Sequence, residues 1–216
     1  MNIVLFGPPG AGKGTQADNL VKDFKLIKIS SGDLLRNEIK KKSPLGIEIK
    51  PAIDKGEFVS DEIINSLIEN IVSNNKFLNR LIFDGYPRNL NQAINLDSIL
   101  AKYNQKILCV LNLKVDKDVL IKRVSGRQVC SNCGLTLNKY FNKKSDHSCD
   151  PKYLETRSDD NEKIIDNRFE TYKNETLPII NHYLKQKIVK DVDGMLEINE
   201  IYKKIRLIID SLETWH

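Results

Sequence analysis

The sequence lacks several features that would place it in other classes of protein. No apolar run approaches the roughly 20 residues that a membrane-spanning helix needs. The apolar start of the chain has no basic region before it and no small-residue cleavage site after it, so we expect no secretory signal. Aromatic residues are only 7% of the chain and the lysines are scattered. We therefore expect a protein that binds neither membranes nor nucleic acid.

Cysteine is also scarce, and its distribution is uneven. The chain has four cysteines, three of which lie between residues 130 and 149, while Cys109 falls in an apolar stretch. This pattern does not match a disulfide framework and indicates a reducing, cytoplasmic location with a local metal site. We interpret Cys109 as a small buried hydrophobe.

The rest of the composition is ordinary for one α/β domain with insertions. Of the 216 residues, 40% are hydrophobic and 29% are charged. The 34 basic and 29 acidic side chains give a net charge of +5. This mildly basic balance suits an anionic ligand.

The most informative stretch is residues 7–15, Gly-Pro-Pro-Gly-Ala-Gly-Lys-Gly-Thr, which follows an apolar run at 3–6. It nearly fills the pattern G-x-x-x-x-G-K-[ST], with the hydroxyl one place late, at Thr15. Glycines let successive backbone N–H groups turn inward around phosphate oxygens. Lys13 can reach the outer phosphates, and Thr15 opens a helix whose N-terminus attracts negative charge. We interpret this stretch as a phosphate-binding loop.

Short apolar stretches alternate with stretches of helical periodicity along the chain. Strands are predicted at 3–6, 26–29, 80–84, 107–113 and 188–192, and the principal helices at 15–24, 61–73, 90–103, 116–125, 160–185 and 196–212. Pro178 is expected to kink or split the helix of residues 160–185. The alternation predicts a P-loop three-layer α/β/α fold with a central five-stranded parallel sheet.

Polar motifs follow the first three predicted strands, at the edge where α/β sheets bind ligands. They are the phosphate loop, Ser31-Gly32-Asp33 and Asp84-Gly85-Tyr86-Pro87-Arg88. Asp84 stands where a carboxylate can hold Mg²⁺ beside a phosphate loop, directly or through water, and Asp33 is a second candidate. Alternatively, Asp84 caps the next turn.

Six arginines near element boundaries are candidates for neutralising a phosphoryl group in transfer. Planar guanidinium groups bind phosphate oxygens bidentately, and the charge of the transition state lies on those oxygens. They are Arg36, Arg88, Arg123, Arg127, Arg157 and Arg168.

These motifs, in this order, resemble those of the adenylate kinase family of nucleoside monophosphate kinases. The stretch GPPGAGKGTQA is similar to the first residues of that family's sequences. The family's Asp-Gly-Phe/Tyr-Pro-Arg signature is similar to Asp84-Gly85-Tyr86-Pro87-Arg88, which Gln92 follows one helical turn later. Arg123-x-x-Gly126-Arg127 is similar to the entry of the family's lid, and Arg157 and Arg168 are similar to its exit. The resemblance covers nearly the whole chain.

The resemblance implies the reversible, Mg²⁺-dependent reaction ATP + AMP = 2 ADP, catalysed by a monomer that serves adenine nucleotide homeostasis. It divides the chain into a core domain (1–29, 61–126 and 159–216), a small helical domain that binds the monophosphate (30–60) and a lid (127–158). No general base is needed, because the attacking phosphate oxygen is already anionic.

The resemblance also implies a role for each matching residue. The ATP-binding residues are Gly10, Ala11, Gly12, Lys13, Gly14, Thr15, Arg127, Thr136, Leu137 and Leu196. The AMP-binding residues are Ser31, Arg36, Glu57, Phe58, Val59, Gly85, Tyr86, Pro87, Arg88, Gln92, Arg157 and Arg168, with Gln92 reading the adenine. The catalytic residues are Lys13, Asp84, Arg88, Arg123, Arg157 and Arg168. Ser31 departs from the threonine that is usual in the family.

The cysteine segment predicts a structural zinc site. Cys130-Ser131-Asn132-Cys133-Gly134 places two thiolates two residues apart before a glycine that lets the turn close. Cys149 is the natural third ligand, and either His147 or Asp150 is the fourth. We prefer His147, because adjacent Cys149 and Asp150 would be strained as joint ligands. The alternative is a degraded site with free thiols.

Two other functions stay open from the sequence. The first is a kinase that acts on another monophosphate or uses GTP as donor. The second is a nucleic-acid-binding ATPase in which the cysteine knuckle is a zinc ribbon. The scattered lysines and the lack of an aromatic-rich basic face count against the second.

Overall fold

The computed structural model describes residues 1–55, 57, 59–141, 147–157, 160 and 162–213. The strands are β1 (Asn2–Phe6), β2 (Ile27–Ser30), β3 (Leu81–Asp84), β4 (Ile107–Lys114), β5 (Arg127–Cys130), β6 (Thr136–Asn138), β7 (Leu154–Glu155) and β8 (Val189–Asp193). The α-helices are α1 (Lys13–Phe24), α2 (Ser31–Lys40), α3 (Pro44–Lys55), α4 (Asp61–Val72), α5 (Leu90–Lys102), α6 (Lys117–Ser125), α7 (Glu162–Thr171), α8 (Ile179–Lys185) and α9 (Ile198–Glu213).

The main sheet has five parallel strands in the order β2-β3-β1-β4-β8, which confirms the predicted fold class. Strand β1 lies at its centre, so the loop that follows it opens between the ends of β3 and β4. Leu5 pairs with Asp84 on one side and with Leu111 on the other. The register therefore brings the polar ends of β1, β2 and β3 to one edge of the sheet.

Both faces of this sheet are buried under helices. Successive residues of a strand point to opposite faces, so one strand contributes side chains to both layers. Val4 and Phe6 pack into one apolar cluster with residues of α4, α5 and α8. Ile3 and Leu5 pack into a second cluster with residues of α1 and α9. Each fully buried side chain of this size contributes about 1.5–3 kcal/mol, so the central strand is a rigid base for the loop after it.

The cysteine segment forms a small antiparallel sheet that the sequence did not indicate. Its strand order is β6-β5-β7, with Gln128 opposite Leu137 and Cys130 opposite Leu154. These strands are two to four residues long. Runs this short show no hydrophobic period, so the alternation that identifies longer strands is missing.

The helix predicted over residues 160–185 is interrupted, as Pro178 led us to expect. Helix α7 ends at Thr171, and a π-helical turn over Tyr172–Thr176 precedes Pro178. In that turn the Leu177 N–H donates to the Tyr172 carbonyl at 2.8 Å, five residues back. Helix α8 begins directly after Pro178, whose missing N–H is not needed at a helix start.

Within the described residues, no helix combines the length and the apolar character that a membrane crossing requires.

Candidate active site

The carboxyl ends of the central strands open into a cavity of about 640 Å³. Its walls come from the loop after β1, the start of α2, the end of β3, α6, the small antiparallel sheet and the turn before α9. Most of the residues singled out from the sequence line it: Gly10, Ala11, Gly12, Lys13, Gly14, Thr15, Arg36, Asp84, Gly85, Pro87, Arg88, Arg123, Arg127, Thr136, Leu137, Arg157, Arg168 and Leu196.

The remaining sequence candidates lie elsewhere. Ser31, Val59 and Gln92 line a second cavity of about 20 Å³, which shares Gly85 and Arg88 with the large one. The ring of Tyr86 is 1% exposed and belongs to the core, where its hydroxyl donates to Asn65 Oδ1 at 2.7 Å. Glu57 is exposed. Phe58 lies outside the described residues.

The loop after β1 depends on glycines at two positions. Gly10 and Gly12 have φ values of 83° and 92°, which residues other than glycine rarely adopt. A Cβ on Gly10 would lie 2.7 Å from Val124 Cγ2 and 3.1 Å from the Leu120 carbonyl, so this glycine lets the loop pack on α6. A Cβ on Gly12 would meet nothing within 4 Å. Gly12 therefore bounds open space at the N-terminus of α1, where anions are favoured.

The ammonium group of Lys13 is hydrogen-bonded to the backbone of this loop. Its Nζ donates to the Gly7 carbonyl at 2.7 Å and to the Pro8 carbonyl at 3.0 Å. Burial lowers the pKa of Lys13 to about 8, the charge of Asp84 opposes that shift, and nearby arginines, Arg88 foremost, add to it. Lys13 and the arginines that line the same cavity together supply positive charge, which suits a polyphosphate ligand.

Asp160 is a functional candidate that sequence reasoning missed. Arg127 donates from Nε to Asp160 Oδ2 at 2.7 Å and from Nη2 to Oδ1. Arg168 Nη1 lies 3.9 Å from the same Oδ1, and the Asp160 side chain is completely buried. One carboxylate thus holds two arginines of the cavity wall. The available signal was its place in Arg157-Ser158-Asp159-Asp160, the stretch that is similar to the exit of the family's lid.

Arg88 is held by hydrogen bonds to residues from several elements. Its Nε donates to the Gly85 carbonyl at 2.7 Å, and its Nη2 donates to Ser31 Oγ at 3.3 Å. Ser31 Oγ in turn donates to the same Gly85 carbonyl at 2.5 Å. Thr176, which sequence reasoning also missed, donates its hydroxyl to the Arg88 carbonyl at 2.7 Å. The serine that replaces the family's usual threonine keeps a hydroxyl in this network.

Asp33 joins two arginines from different parts of the chain. Arg36 Nη2 lies 2.6 Å from Asp33 Oδ1, and Arg157 Nη2 lies 3.5 Å from it. Burial acts to raise the pKa of Asp33, but the hydrogen bond and the charge of Arg36 outweigh it, so the pKa is lowered. Asp33 is therefore a partner for guanidinium groups from α2 and from the end of the cysteine segment.

Asp84 lies where an oxygen-preferring cation fits. It ends β3 beside Leu5 and Ser30 of the two neighbouring strands. Its Oδ2 is 3.5 Å from where a Cβ on Gly14 would lie, so the carboxylate adjoins the phosphate loop. With the Thr15 hydroxyl in the same cavity wall, the site offers the hard oxygen donors that Mg²⁺ takes.

The cysteine segment gathers four potential metal ligands. The ligand atoms of Cys130, Cys133, His147 and Cys149 all lie within 4.8 Å of one another. His147 Nε2 is buried and has no hydrogen-bond partner among the described residues. Asp150 is not in the group, and its Oδ1 instead accepts from the Lys152 N–H at 2.9 Å. The donor set of three thiols and one imidazole fits tetrahedral zinc, and it favours His147 over Asp150 as fourth ligand.

A phosphate loop at the centre of a parallel sheet, facing arginines across one cavity, defines a P-loop enzyme of the nucleotide kinase class. The sequence model of the family described as Adenylate kinase matches residues 5–188. The chain belongs to the adenylate kinase family and is a phosphotransferase of the nucleoside monophosphate kinase type.

Curated relatives match over nearly their full lengths. The chain is 46% identical to an adenylate kinase of Pelagibacter ubique, covering 97% of this chain and 99% of that protein. It is 42% identical to one of Methanosarcina barkeri, covering 97% and 98% of the two chains. It is 38% identical to one of Bacillus subtilis, covering 99% and 100%.

Proposed function

We propose that the large cavity binds ATP and AMP together for the reaction of this family, ATP + AMP = 2 ADP, which this chain catalyses. The observation that carries the assignment is the convergence of Lys13 and the arginines on one cavity at the carboxyl ends of the central strands. A triphosphate and a monophosphate bound side by side need that much positive charge, and a single monophosphate would not.

On the ATP side, the phosphates lie along residues 10–15, and the first turn of α1 supplies N–H groups. Arg123 and Arg127 contact the phosphates from the opposite wall. Thr136 and Leu137 of β6 cover the base, and the backbone around Leu196 borders it. These residues line one continuous cavity, which supports a single extended binding mode.

On the AMP side, Arg36 and Arg88 hold the phosphate, and Arg157 and Arg168 bridge it to the transferring group. Gly85 and Pro87 approach the nucleotide through backbone, while the Tyr86 ring supports the turn from the core. Gln92 reads the adenine from the small cavity, with Ser31 and Val59 beside it. Residues 57–59 complete the pocket in this assignment.

The chemistry is positioning and charge stabilisation. The attacking AMP oxygen is anionic, so the protein has no proton to remove. Lys13 and the arginines stabilise the charge that spreads over the transferring oxygens. Asp84 and the Thr15 hydroxyl would hold Mg²⁺, with Asp33 as a further carboxylate nearby, and the ion neutralises phosphate charge when bound.

Two segments are proposed to close over a core of residues 1–29, 61–126 and 159–216. They are the monophosphate-binding segment 30–60 and the lid 127–158. Zinc held by Cys130, Cys133, Cys149 and His147 would stabilise the lid, because the small antiparallel sheet has too few apolar residues for a core of its own. A monomeric state and a cytoplasmic location stay predictions.

Initial rates with a panel of monophosphates test the proposal. With ATP as donor, AMP should be phosphorylated far faster than CMP or UMP, and ADP alone should yield ATP and AMP. A preference for another monophosphate, or for GTP as donor, would contradict the substrate assignment. ATP hydrolysis that depends on single-stranded DNA, without transfer to AMP, would favour the nucleic-acid-binding ATPase instead.

A further inference from the structure

We infer that Asp61 fixes the orientation of the Gln92 amide and thereby makes the monophosphate site select adenine over a 6-oxopurine. The inference rests on the proposed function, in which Gln92 reads the base of AMP. It goes beyond that function by assigning a specificity role to Asp61, a residue of α4 that does not line either cavity.

Two partners hold the ends of the Gln92 amide. The backbone N–H of Arg88 donates to Gln92 Oε1 at 2.7 Å, and Gln92 Nε2 donates to Asp61 Oδ1 at 2.7 Å. A backbone N–H can only donate, and an ionised carboxylate can only accept. The oxygen and the nitrogen of this amide therefore have one possible assignment. Gln92 is 2% exposed, so water does not replace either partner.

Asp61 is itself fixed by the helix that carries Gln92. Asn89 Nδ2 lies 2.9 Å from Asp61 Oδ1 and 3.1 Å from Oδ2. Asn89 Oδ1 accepts from the Gln92 N–H at 2.9 Å and so caps α5. The carboxylate at the start of α4 is therefore tied to the start of α5, and it cannot turn away without breaking these bonds.

The fixed amide matches one kind of purine. After these two bonds, Nε2 keeps one hydrogen to donate and Oε1 keeps one lone pair to accept. Adenine offers an acceptor at N1 and a donor at its 6-amino group, which complement that pair. Hypoxanthine offers a donor at N1–H and an acceptor at O6, the reverse order. It would need the amide to rotate by half a turn.

Rotation of the amide would create two mismatches in a buried site. Nε2 would face the Arg88 N–H, and Oε1 would face the Asp61 carboxylate. Leaving buried polar groups opposed in this way costs far more than an ordinary hydrogen bond gains. Leu35, Val59 and Ile64 in the wall of the small cavity have apolar side chains, and the Ser31 hydroxyl in the same wall already donates to the Gly85 carbonyl. The adenine preference thus comes from Asp61 and the Arg88 backbone together.

The test compares AMP with IMP as acceptor, because these nucleotides differ in the groups at N1 and C6 and lack the extra amino group of GMP. In Asp61→Asn the side chain at position 61 can accept or donate, so one of the two restraints on the amide is lifted. We expect the ratio of kcat/KM for AMP to that for IMP to fall by roughly 5- to 10-fold. The KM for ATP should not change.

Glu62→Gln is the matched control, since it removes the same charge from the same turn at an exposed position. Its AMP-to-IMP ratio should equal that of the parent. Asp61→Ser, which keeps a residue suited to a helix start, serves if the asparagine variant does not fold. A merely structural role for Asp61 would lower both kcat/KM values equally and leave their ratio unchanged.

The outcomes separate the inference from the proposed function. If the parent enzyme phosphorylates AMP and a folded Asp61 variant keeps the parental ratio, the role of Asp61 is wrong and the function stands. A parental ratio near one would also overturn the inference, whatever the variants do. If the parent does not phosphorylate AMP at all, the proposed function itself fails.

Discussion

Arg127 and Asp160 form a two-point ion pair in which the carboxylate has no exposed surface. Arg168 approaches the same carboxylate to 3.9 Å. Two guanidinium groups that would repel each other therefore share one carboxylate on a wall of the cavity. Their positions depend on a residue that is not among those lining the cavity.

Replacing Asp160 by Asn should lower kcat by roughly 10- to 100-fold, because small displacements of phosphate-binding groups have effects of that size. Coupled assays with ATP and AMP measure it. Asp166→Asn, which changes an exposed carboxylate on α7 paired with Lys117 at 3.2 Å, should leave kcat unchanged. An Asp160→Asn enzyme with parental kcat and parental thermal midpoint would show that the pair does not position the arginines.

Deprotonation of Lys13 should make kcat/KM for ATP fall at alkaline pH. Because its pKa is lowered to about 8, the free enzyme loses this positive charge as the pH rises through that value, and kcat/KM for ATP should fall with it. Lys13→Met should reduce kcat by at least about 100-fold and abolish the inflection. Lys22→Met, on an exposed position of α1, should behave like the parent. A parental inflection in Lys13→Met would assign it to another group.

Two glycines of the phosphate loop should respond differently to alanine. Each substitution forces a side chain into the left-handed region at a cost of about 1–2 kcal/mol. Gly10→Ala also meets Val124 Cγ2 at 2.7 Å, so it should lower the thermal midpoint more than Gly12→Ala, whose Cβ meets nothing within 4 Å. Gly12→Ala should instead weaken ATP binding, because its methyl group occupies the proposed phosphate site. Equal midpoints for the two variants would contradict this distinction.

Zinc should stabilise the lid without taking part in the reaction. The double variant Cys130→Ser with Cys133→Ser should lose the metal and melt at a clearly lower temperature, while activity at low temperature persists. Metal analysis and calorimetry measure these effects. Cys109→Ala is the control: it removes a cysteine buried in the core and should retain one zinc per chain.

The fourth ligand can be identified by separate substitutions. His147→Ala should release zinc, because His147 Nε2 is buried beside the three thiols and has no hydrogen-bond partner among the described residues. Asp150→Ala should retain zinc, since its carboxylate caps the turn at Lys152. Protein purified without chelator that contains no stoichiometric metal, together with an unchanged midpoint for the double serine variant, would mean that the knuckle is a relic.

Closure of segments 30–60 and 127–158 should follow substrate binding. Transfer to AMP competes with transfer to water, so the two segments must exclude solvent around the phosphates. Small-angle scattering should show a smaller radius of gyration with an analogue that joins ATP and AMP in one molecule. AMP alone should give only part of the change. No compaction with the joined analogue would count against moving domains.

The sequence predicted the five parallel strands and the phosphate loop because both signals are local. A strand buried on both faces is a continuous apolar run, and the loop is a fixed series of glycines and lysine. The contacts missed from the sequence join distant residues, such as Thr176 with Arg88 and Arg127 with Asp160. No spacing rule connects such pairs, and only the folded chain brings them together.

The small antiparallel sheet was missed for a different reason. Its strands carry few apolar residues, and one of them, β5, ends at Cys130 of the cysteine cluster. Val129 is opposite Thr136 on one side and Glu155 on the other, so its neighbours are polar. The spacing of the cysteines predicted the metal site, but it gave no indication of the sheet around it.

The π-helical turn at Tyr172–Thr176 determines the directions in which side chains of α7 and α8 point relative to one another. In one uninterrupted α-helix those directions would be fixed by the helical repeat. Each residue of an α-helix advances the side-chain direction by about 100°, and a π turn inserts one extra residue. Arg168 on α7 can therefore face the cavity, while Ile179 and Tyr183 on α8 face the core with 0% exposure. Deleting one residue from this turn should rotate Arg168 relative to α8 by about 100° and turn its side chain away from the cavity.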